Sequence, residues 1–408
     1  MAIQPIISKQ ELSYRANRNI ILFYATDFCF NLVFLIPVWV TFYTRYFSLS
    51  QISLISVAST ACMLLLQIPT GVFADIFGRK TSMIIGSVIR TIGNLTIVFW
   101  HNPVSIIIGE IGYGIGTSFV SGANVALLYD SLKDAGREKE FYKIRTINQS
   151  ITQGALIGST FLAGYLFNLW NLLPFLVTAV AIFLTGILSF FFSETLSINS
   201  LQFEKKTYRE KTVNGVKEIF KNKETTFISI FYILVGGITW SWQVFFNQIL
   251  ATNIGYDVVG KSWLFAIIRF VNVIIIIRLF HLEKYISKRN VYFVYPILMI
   301  LAAIPAIISS QIVGTALLFL LTFLPTLRLI VLDQYVNEQY ESKYRATALS
   351  TLNMFVSIAQ IVIVFLGGLL LDKYSTGVVY FFTGCATVVF ILPIGIYLSN
   401  TNRKLSVV

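Results

Sequence analysis

The stretch QIPTGVFADIFGRKTS, residues 67–82, interrupts a chain that is otherwise strongly apolar. Long apolar segments precede and follow it, yet its second half brings one acidic and two basic side chains close together. The spacing within it is Gly71-x-x-x-Asp75-x-x-Gly78-Arg79-Lys80. Charged side chains avoid the interior of a bilayer, so we expect a short polar turn between two membrane-spanning helices.

The composition of the whole chain decides the class of protein. Of 408 residues, 56% are hydrophobic and 12% are charged, and the mean hydropathy is +0.75. Soluble proteins carry about 25% charged residues, so this chain has too little polar surface to coat a water-soluble globule. We therefore interpret it as an all-α integral membrane protein. The apolar run after the polar residues 1–19 is too long for a signal peptide, so we predict no cleavable leader.

Apolar runs long enough to cross a bilayer as helices predict twelve spans. They lie near 19–44, 50–73, 81–100, 103–129, 144–168, 172–193, 226–250, 259–280, 290–310, 312–335, 345–371 and 376–398. With both termini in the cytoplasm, nearly all Lys and Arg residues fall on cytoplasmic segments, as the positive-inside rule requires. The net charge of +12 is then a topology signal that also suits membrane lipids. We predict an inner (plasma) membrane location and no nucleic-acid partner.

The longest break between spans divides the chain into three parts. We predict an N-terminal six-helix bundle over 1–193, a cytoplasmic linker over 194–225 and a C-terminal six-helix bundle over 226–408. Apolar residues recur at helical spacing within YREKTVNGVKEIFKNKE of the linker, which predicts an amphipathic surface helix; a solvated linker is the alternative. Spans 1 and 7 both begin with Phe-Tyr, a weak echo of the kind that pseudo-symmetric transporter halves leave.

The polar turn at 67–82 resembles the first cytoplasmic loop signature of the major facilitator superfamily of secondary transporters. The predicted topology and the central loop agree with that resemblance over the whole chain. The blocks SGANVALLYDSLK and KYRATALSTLN, together with the turn, look like a bacterial branch of drug-efflux-like carriers. The family pattern implies alternating access, in which two six-helix halves move around a site near the middle of the membrane.

The resemblance also implies a cytoplasmic latch made of Gly71, Asp75, Gly78, Arg79, Lys80 and Asp130. Gly71 would let span 2 approach a neighbouring backbone, and Gly78 would permit a sharp reversal. Asp75 would lie at the positive N-terminal end of span 11. Arg79 would pair with Asp130 at the cytoplasmic end of span 4.

The charged residues that lie more than two residues from either end of a predicted span are Asp27, Arg90, Glu110, Arg269 and Arg328. Each is costly at membrane depth unless it is paired or hydrated, so such residues are functional candidates. Asp27 and Glu110 are the predicted proton-coupling residues, because a desolvated carboxylate can exchange a proton near neutral pH. A carboxylate permanently paired with an arginine is the alternative. Arg90 is interpreted as a structural charge that pairs with Glu110.

The substrate-binding candidates are Asn31, one turn after Asp27, then Trp240, Gln243 and Asn247 on span 7, Arg269 on span 8, Arg328 on span 10 and Asn353 on span 11. Aromatic faces with sparse amides suit an amphipathic organic ligand. A tryptophan near a helix end is equally well explained as an interface anchor. Three internal arginines against two acids favour an anionic or zwitterionic substrate. Further polar stripes run from Glu110 to Asn124 on span 4 and from Asn148 to Thr152 on span 5.

Two transport hypotheses follow, and both leave the protein a non-enzyme without cofactor or metal, and a monomer. The first is a proton-coupled exporter of a small, amphipathic solute. Residues 154–166, GALIGSTFLAGYL, match an efflux signature of span 5 only in part, since Gly154 and Gly158 agree but a serine replaces the proline. The second is an importer of an organic anion or zwitterion that uses the intramembrane arginines. The sequence contains no HExxH, GxSxG or Walker motif, which argues against catalysis.

Overall fold

A computed structural model of the chain describes residues 8–194, 213–282, 288–304, 310–341 and 344–405. Within these ranges the regular secondary structure is entirely helical, without a strand. The chain divides into two compact units: Met1–Tyr46 with Ala58–Gln202, and Phe47–Val57 with Phe203–Val408. We call them unit 1 and unit 2. The predicted linker at 194–225 is described only at Glu194 and from Val213 onward.

Unit 1 contains most of the first eight helices. They are α1 Lys9–Phe30, α2 Trp39–Tyr43, α3 Leu49–Phe77, α4 Arg79–Trp100, α5 Pro103–Val120, α6 Ala123–Asp134, α7 Phe141–Leu169 and α8 Leu173–Ser189. The first turns of α3 belong to unit 2. Gly78 has a φ of +99° and begins α4, so the sharp turn predicted within 67–82 is present, and glycine adopts it without strain.

Unit 2 contains nine further helices whose bounds are described. They are α9 Lys223–Ser241, α10 Asn247–Asn253, α11 Val258–Leu282, α12 Lys288–Ala303, α13 Gln311–Leu327, α14 Asp333–Gln339, α15 Arg345–Leu371, α16 Thr376–Ala386 and α17 Leu392–Leu405. One-turn π-helices join three pairs: Trp242–Phe246, Arg328–Leu332 and Thr387–Ile391. Such π segments are frequent at functional sites, and the second of them contains Arg328.

Seven helices among the described residues are long and apolar enough to cross a membrane. They are Leu49–Phe77, Arg79–Trp100, Pro103–Asp134, Lys223–Asn253, Val258–Arg278, Thr347–Leu371 and Thr376–Thr401. Three shorter apolar helices are Leu173–Ser189, Arg289–Ala303 and Gln311–Leu327. The prediction of an all-α, multi-pass membrane fold is therefore confirmed, while the count of twelve spans stays a prediction.

Two predicted spans are interrupted helices. Span 1, predicted over 19–44, ends as a helix at Phe30, and a turn-rich segment separates it from α2 at Trp39. Span 4, predicted over 103–129, breaks where Gly122 takes a φ of +86° between α5 and α6. Apolar composition alone cannot reveal such breaks, because the broken segments are as apolar as the helices beside them.

Glycines let helices pack closely in each unit. In unit 1, a methyl group at Gly86 would lie 2.5 Å from the carbonyl oxygen of Gly116, so α4 and α5 touch backbone to backbone. In unit 2, a methyl group at Gly237 would lie 2.6 Å from the Cβ of Ala359, which brings α9 against α15. Close approach through small residues is the usual means of helix association in membranes. In unit 1 it also brings together the helices that carry Arg90 and Glu110.

The described part of the predicted amphipathic segment is helical over 213–219. It packs on unit 2: the position of Gly215 faces Thr347, and Glu218 accepts a hydrogen bond of 2.8 Å from the backbone N–H of Glu341. Ile219 is fully buried. Tyr208, which the prediction included, lies outside the described residues.

Candidate functional site: buried charges in each unit

Asp27 lies in the last turn of α1 and is 8% exposed. The side-chain N–H of Asn124 on α6 donates to its Oδ1 at 2.6 Å, and that of Asn148 on α7 donates to its Oδ2. Three helices of unit 1 therefore meet at one carboxylate. Burial disfavours the charged form of such a group, whereas the two donors favour it. Arg145, one turn before Asn148, also interacts electrostatically with this carboxylate.

Asn31 caps α1 directly after its last residue, Phe30. Its side chain donates to the backbone carbonyl of Asp27, one turn earlier, at 2.8 Å. This carbonyl also accepts from the backbone N–H of Asn31 at 3.1 Å, so the side-chain amide adds a second donor to it. It fixes the end of α1 and with it the position of the Asp27 side chain.

Glu110 on α5 is held by hydrogen bonds from two helices. The hydroxyl of Tyr43 donates to its Oε1 at 2.6 Å, and the hydroxyl of Ser59 donates to its backbone carbonyl at 2.6 Å. Tyr43 lies on α2, just beyond the break in the first predicted span. Glu110 is therefore a partnered carboxylate, and its partner is a phenol that sequence spacing did not indicate.

Arg90 on α4 is 2% exposed and lies between two aromatic rings. Its guanidinium carbon is 4.2 Å from the ring centre of Phe30 and 4.7 Å from that of Tyr113. It interacts electrostatically with Glu110, but no direct ion pair joins the two side chains among the described contacts. Desolvated cation–π contacts stabilise a buried arginine, so the predicted structural charge is held mainly by aromatic faces rather than by Glu110.

The polar turn brings the predicted charges of unit 1 together. Arg79 forms an ion pair with Asp130 of α6, and its other Nη lies 3.8 Å from Asp75. Each of the two ion-paired side chains is 13% exposed, whereas Asp75 is 37% exposed. Arg79 and Asp130 therefore form the tighter pair, because shielding from water strengthens it.

Glu194, which sequence reasoning did not single out, completes this cluster. Its Oε1 accepts a hydrogen bond of 3.0 Å from the backbone N–H of Lys80, in the first turn of α4. A carboxylate at a helix N-terminus is stabilised by the helix dipole. A methyl group at Gly78 would lie 2.6 Å from the same oxygen, so glycine serves here for close approach as well as for its φ.

Two residues of the predicted latch act differently from the expectation. A methyl group at Gly71 would meet no atom within 4 Å, so no close backbone approach is seen there within the described part of the chain. Lys80 contributes its backbone N–H to the cluster, through the bond to Glu194. The predicted approach of Asp75 to span 11 joins residues of different units and stays a prediction.

Arg328 is a buried charge of unit 2 and is 3% exposed. Its Nε and Nη1 donate to no partner among the described residues. The guanidinium carbon lies 4.8 Å from the ring centre of Tyr232, whose hydroxyl donates a hydrogen bond to Asp333. A methyl group at Gly236 would lie 2.9 Å from the Nη1 of Arg328, so glycine at this position makes room for the guanidinium.

The other predicted binding residues separate into buried and accessible side chains. Asn247 is 2% exposed and fully bonded, since it donates to Thr322 at 3.3 Å and accepts from Tyr380 at 2.6 Å. The structure thus gives it a packing role within unit 2. The half-buried or exposed candidates are Trp240, Gln243, Arg269 and Asn353, and Arg269 has no hydrogen bond or ion pair within the described part of the chain.

The charges of these sites are evident in the sequence, but most of their partners are not. Asn124 and Asn148 were recognised only as members of polar stripes, and Tyr43, Glu194 and Tyr232 were not recognised. Each partner is a polar residue within or beside an apolar run, and this is the only sequence feature that marks it as a candidate. Pairing them with a particular charge requires the tertiary structure.

The apolar helices of the two units, with charges buried inside each, are those of a multi-pass membrane protein. A profile of the Major Facilitator Superfamily matches residues 20–332. That is well over half of the chain, and the chain belongs to this superfamily. The resemblance noted in the sequence is thereby confirmed at the level of the superfamily.

Two curated relatives are themselves uncharacterised. An "Uncharacterized transporter" of Buchnera aphidicola subsp. Schizaphis graminum is 38% identical over 79 residues, or 19% of this chain and 20% of its own. The "Uncharacterized MFS-type transporter YxaM" of Bacillus subtilis strain 168 is 23% identical over 261 residues, or 62% of this chain and 63% of its own. The chain thus spans about a fifth and just under two thirds of the curated relatives it matches.

Solved structures agree on the fold. The nucleoside transporter NupG superposes with a TM-score of 0.75 at 14% identity, covering 93% of this chain and 98% of its own. A D-xylose–proton symporter superposes with a TM-score of 0.70 at 11% identity, covering 94% of this chain and 96% of its own. At such low identity the likeness shows the fold alone.

Proposed function

We propose that this protein is a secondary active transporter of the plasma membrane that exports a small amphipathic organic solute in exchange for protons. Transport proceeds by alternating access of two six-helix bundles, with both termini in the cytoplasm. The observation that carries the proposal is the buried Asp27 carboxylate, held by amides from α6 and α7 at the broken end of α1.

Asp27 supports proton coupling through its position and its partners. An intramembrane carboxylate is costly and is usually retained for function. Here it accepts hydrogen bonds from two neutral amides rather than an ion pair from arginine. A carboxylate with neutral partners can change its charge without leaving an opposite charge unpaired. This favours the proton-carrier interpretation over a permanently paired carboxylate.

Glu110 is the second candidate carrier in the proposal. Its hydrogen bond from Tyr43 supplies a neutral partner of the same kind. Arg90 interacts with it electrostatically, as Arg145 does with Asp27, so a nearby arginine does not distinguish the two carboxylates. We assign the coupling step to Asp27 because its carboxylate joins three helices at the end of α1.

The latch has a separate role in the proposal. The ion pair of Arg79 with Asp130 and the bond from Lys80 to Glu194 tie together the cytoplasmic ends of α4, α6 and α8 within unit 1. We propose that this cluster, with Asp75, holds the cytoplasmic side closed while the cavity faces outward. Breaking it changes the ratio of inward to outward states and spares the substrate contacts.

The assignment of an amphipathic substrate rests on Trp240 and Gln243. They are three residues apart on α9 and the π-helix that follows, and both side chains are only partly buried. An apolar aromatic surface beside a single amide suits an organic solute with few polar groups. Export is favoured over import by the partial efflux signature at Gly154 and Gly158.

The test is an accumulation assay in an efflux-deficient bacterium. Cells express either the wild type or Asp27→Asn at matched membrane levels, and a panel of amphipathic compounds is scored for uptake with and without a protonophore. We expect the wild type to lower accumulation of some compounds, and both the substitution and the protonophore to abolish this. Exclusion of compounds that persists in Asp27→Asn would remove Asp27 from the coupling step.

Import of an organic anion is the second candidate, and Arg328 favours it. A buried guanidinium with two unpartnered nitrogen atoms can donate to a carboxylate or phosphate group. Arg269, on α11, would add a second positive charge. If Arg328→Lys and Arg269→Gln each left the affinity and rate of anion uptake unchanged, this candidate would be excluded.

A further inference from the structure

The two asparagines that hold Asp27 differ in one respect. The Oδ1 of Asn124 accepts a hydrogen bond of 2.8 Å from the backbone N–H of Val125, while its Nδ2 donates to Asp27. Both ends of this amide are therefore occupied. Turning it over would break two hydrogen bonds, so Asn124 is fixed in orientation.

Asn148 has no such restraint. Its Nδ2 donates to the other oxygen of Asp27, but its own Oδ1 is buried and has no partner among the described residues. The side chain as a whole is 2% exposed. A buried amide oxygen without a partner costs free energy, and the last side-chain torsion of asparagine is broad and roughly two-fold. A half-turn therefore costs one hydrogen bond at most.

We propose that the side-chain amide of Asn148 turns over with the protonation state of Asp27, donating to the carboxylate and accepting from the acid. This inference rests on the proposed proton coupling at Asp27. When Asp27 takes a proton from the aqueous phase, the new O–H at Oδ2 requires an acceptor. A half-turn of Asn148 presents Oδ1 at that place, while Asn124 continues to donate to the other oxygen.

The half-turn of the Asn148 amide couples protonation of Asp27 to α7. In the ionised state the oxygen of Asn148 points away from Asp27 without a partner; in the protonated state its NH₂ group points there instead. A donor replaces an acceptor on the far side of this side chain, so the charge change on α1 alters the hydrogen bonding of α7. Asn148 acts through Asp27 and is a positioning residue.

Other charges near Asp27 do not supply this response. Arg145 on α7 interacts electrostatically with the carboxylate, and an arginine keeps its charge in both states. On α6, the charged residues Asp130, Lys133 and Asp134 lie six or more positions beyond Asn124, and α8 contains none. The charged residues of α1 besides Asp27 lie in its first half.

The experiment compares the two amides, with Asn124→Ala as the matched control. Purified full-length protein in lipid nanodiscs is titrated while the carboxylic acid C=O band is recorded by infrared spectroscopy, and the band is assigned by its loss in Asp27→Asn. Asn124 donates in both states but stabilises the charged carboxylate more than the neutral acid, so we expect Asn124→Ala to move the titration midpoint up by about one pH unit or more. Asn148 stabilises both forms, so we expect Asn148→Ala to move it by less than about half as much.

Two further measurements test the role of Asn148 even if Asn148→Ala folds poorly. Asn148→Thr keeps a hydroxyl that can donate or accept, and we expect it to retain the wild-type midpoint even if Asn148→Ala is poorly folded. In protein with isotope-labelled asparagine, the difference spectrum between low and high pH should contain amide bands that Asn148→Ala removes and Asn124→Ala keeps.

The outcomes are distinct. A midpoint shift in Asn148→Ala equal to that in Asn124→Ala would show that Asn148 only donates, and it would overturn the turning amide while leaving proton coupling intact. The absence of any titrating band that depends on Asp27 would overturn both the coupling and the inference.

Discussion

Asp27 in unit 1 and Arg328 in unit 2 are both almost fully buried charges, yet their surroundings are opposite. Both oxygens of Asp27 accept hydrogen bonds from amides, whereas two nitrogens of Arg328 have no described partner and the guanidinium lies against the ring of Tyr232. A charge whose hydrogen bonds are complete contributes to the packing of its helices. A charge with donors left over costs stability and is retained for another reason. The comparison predicts opposite effects when each charge is removed.

The largest effect is expected when Asp27 is replaced by an apolar residue. Asp27→Leu leaves the side-chain donors of Asn124 and Asn148 buried without a partner, and each such group costs about 1–3 kcal/mol. We expect the free energy of unfolding to fall by about 2–6 kcal/mol, measured by denaturant titration in lipid nanodiscs. Asp27→Asn is the control: it should retain most of the stability, because Asn148 can turn to accept from the new amide. Equal losses in both variants would contradict the hydrogen-bond explanation.

Removing the charges of Arg328 and Asp333 should not lower the free energy of unfolding, in contrast to the removal of Asp27. The double substitution Arg328→Met with Asp333→Asn replaces the buried guanidinium and the half-buried carboxylate by neutral groups of similar size. Such replacements are neutral or stabilising by about 1–4 kcal/mol. The hydroxyl of Tyr232 keeps an acceptor at position 333. We expect an unfolding free energy equal to or above that of the wild type, in the same titration. A clear loss would mean that Arg328 is satisfied in the membrane and that the contrast with Asp27 is wrong.

A smaller loss of stability is expected when a methyl group is added at Gly236, which lies against Arg328. In Gly236→Ala the new methyl group would lie 2.9 Å from the guanidinium and 2.8 Å from Val356, and such overpacking costs about 1–3 kcal/mol. We expect melting temperature and anion affinity to fall together. Adding Arg328→Met should recover part of the loss, because the side chain that must move has gone. Full additivity of the two substitutions would show that the methyl group is accommodated elsewhere.

The features of the fold and the site that could be predicted from the sequence are those that depend on residues close together in the chain. The membrane fold and the superfamily follow from apolar runs and the spacing within residues 67–82, which are local patterns. Asp27 and Arg328 stand out because charges are rare in apolar runs. The partners of Asp27 lie 97 and 121 residues away, and only helix packing brings them to it. Gly71 shows the converse, since a familiar spacing predicted a close contact that the described residues do not show.

The smallest effects concern two carboxylates at helix N-termini, one in each unit. Burial raises the pKa of Glu194 above its usual value of 4.5, against the opposing backbone N–H of Lys80. The folded state then binds more protons than the unfolded state, so this contribution to stability falls as pH rises from 4.5 through the raised pKa. We expect the melting temperature of the wild type to fall relative to that of Glu194→Gln as the pH rises through that window.

Asp372 has the opposite pH dependence. Hydrogen bonds from the hydroxyl and the backbone N–H of Ser50, at the start of α3, hold the pKa of Asp372 below its usual value of 3.8. Its contribution is therefore present above pH 3.8 and is lost as pH falls through the lowered pKa. In Asp372→Asn we expect the same melting temperature as the wild type at strongly acidic pH and a slightly lower one at neutral pH. A difference that grows toward acidic pH would contradict this assignment.

The sequence separation of Asp27 from its amides has a consequence for biosynthesis. Helix α1 is not among the helices long and apolar enough to span a membrane, and its carboxylate has no amide partner until the ribosome has made the chain as far as α6 and α7. The first helix therefore reaches the insertion machinery with an unpaired charge in its last turn. Its final placement in the bilayer has to wait for helices that emerge about a hundred residues later, so a ribosome stalled before Asn148 would leave the N-terminus loosely held and open to proteolysis.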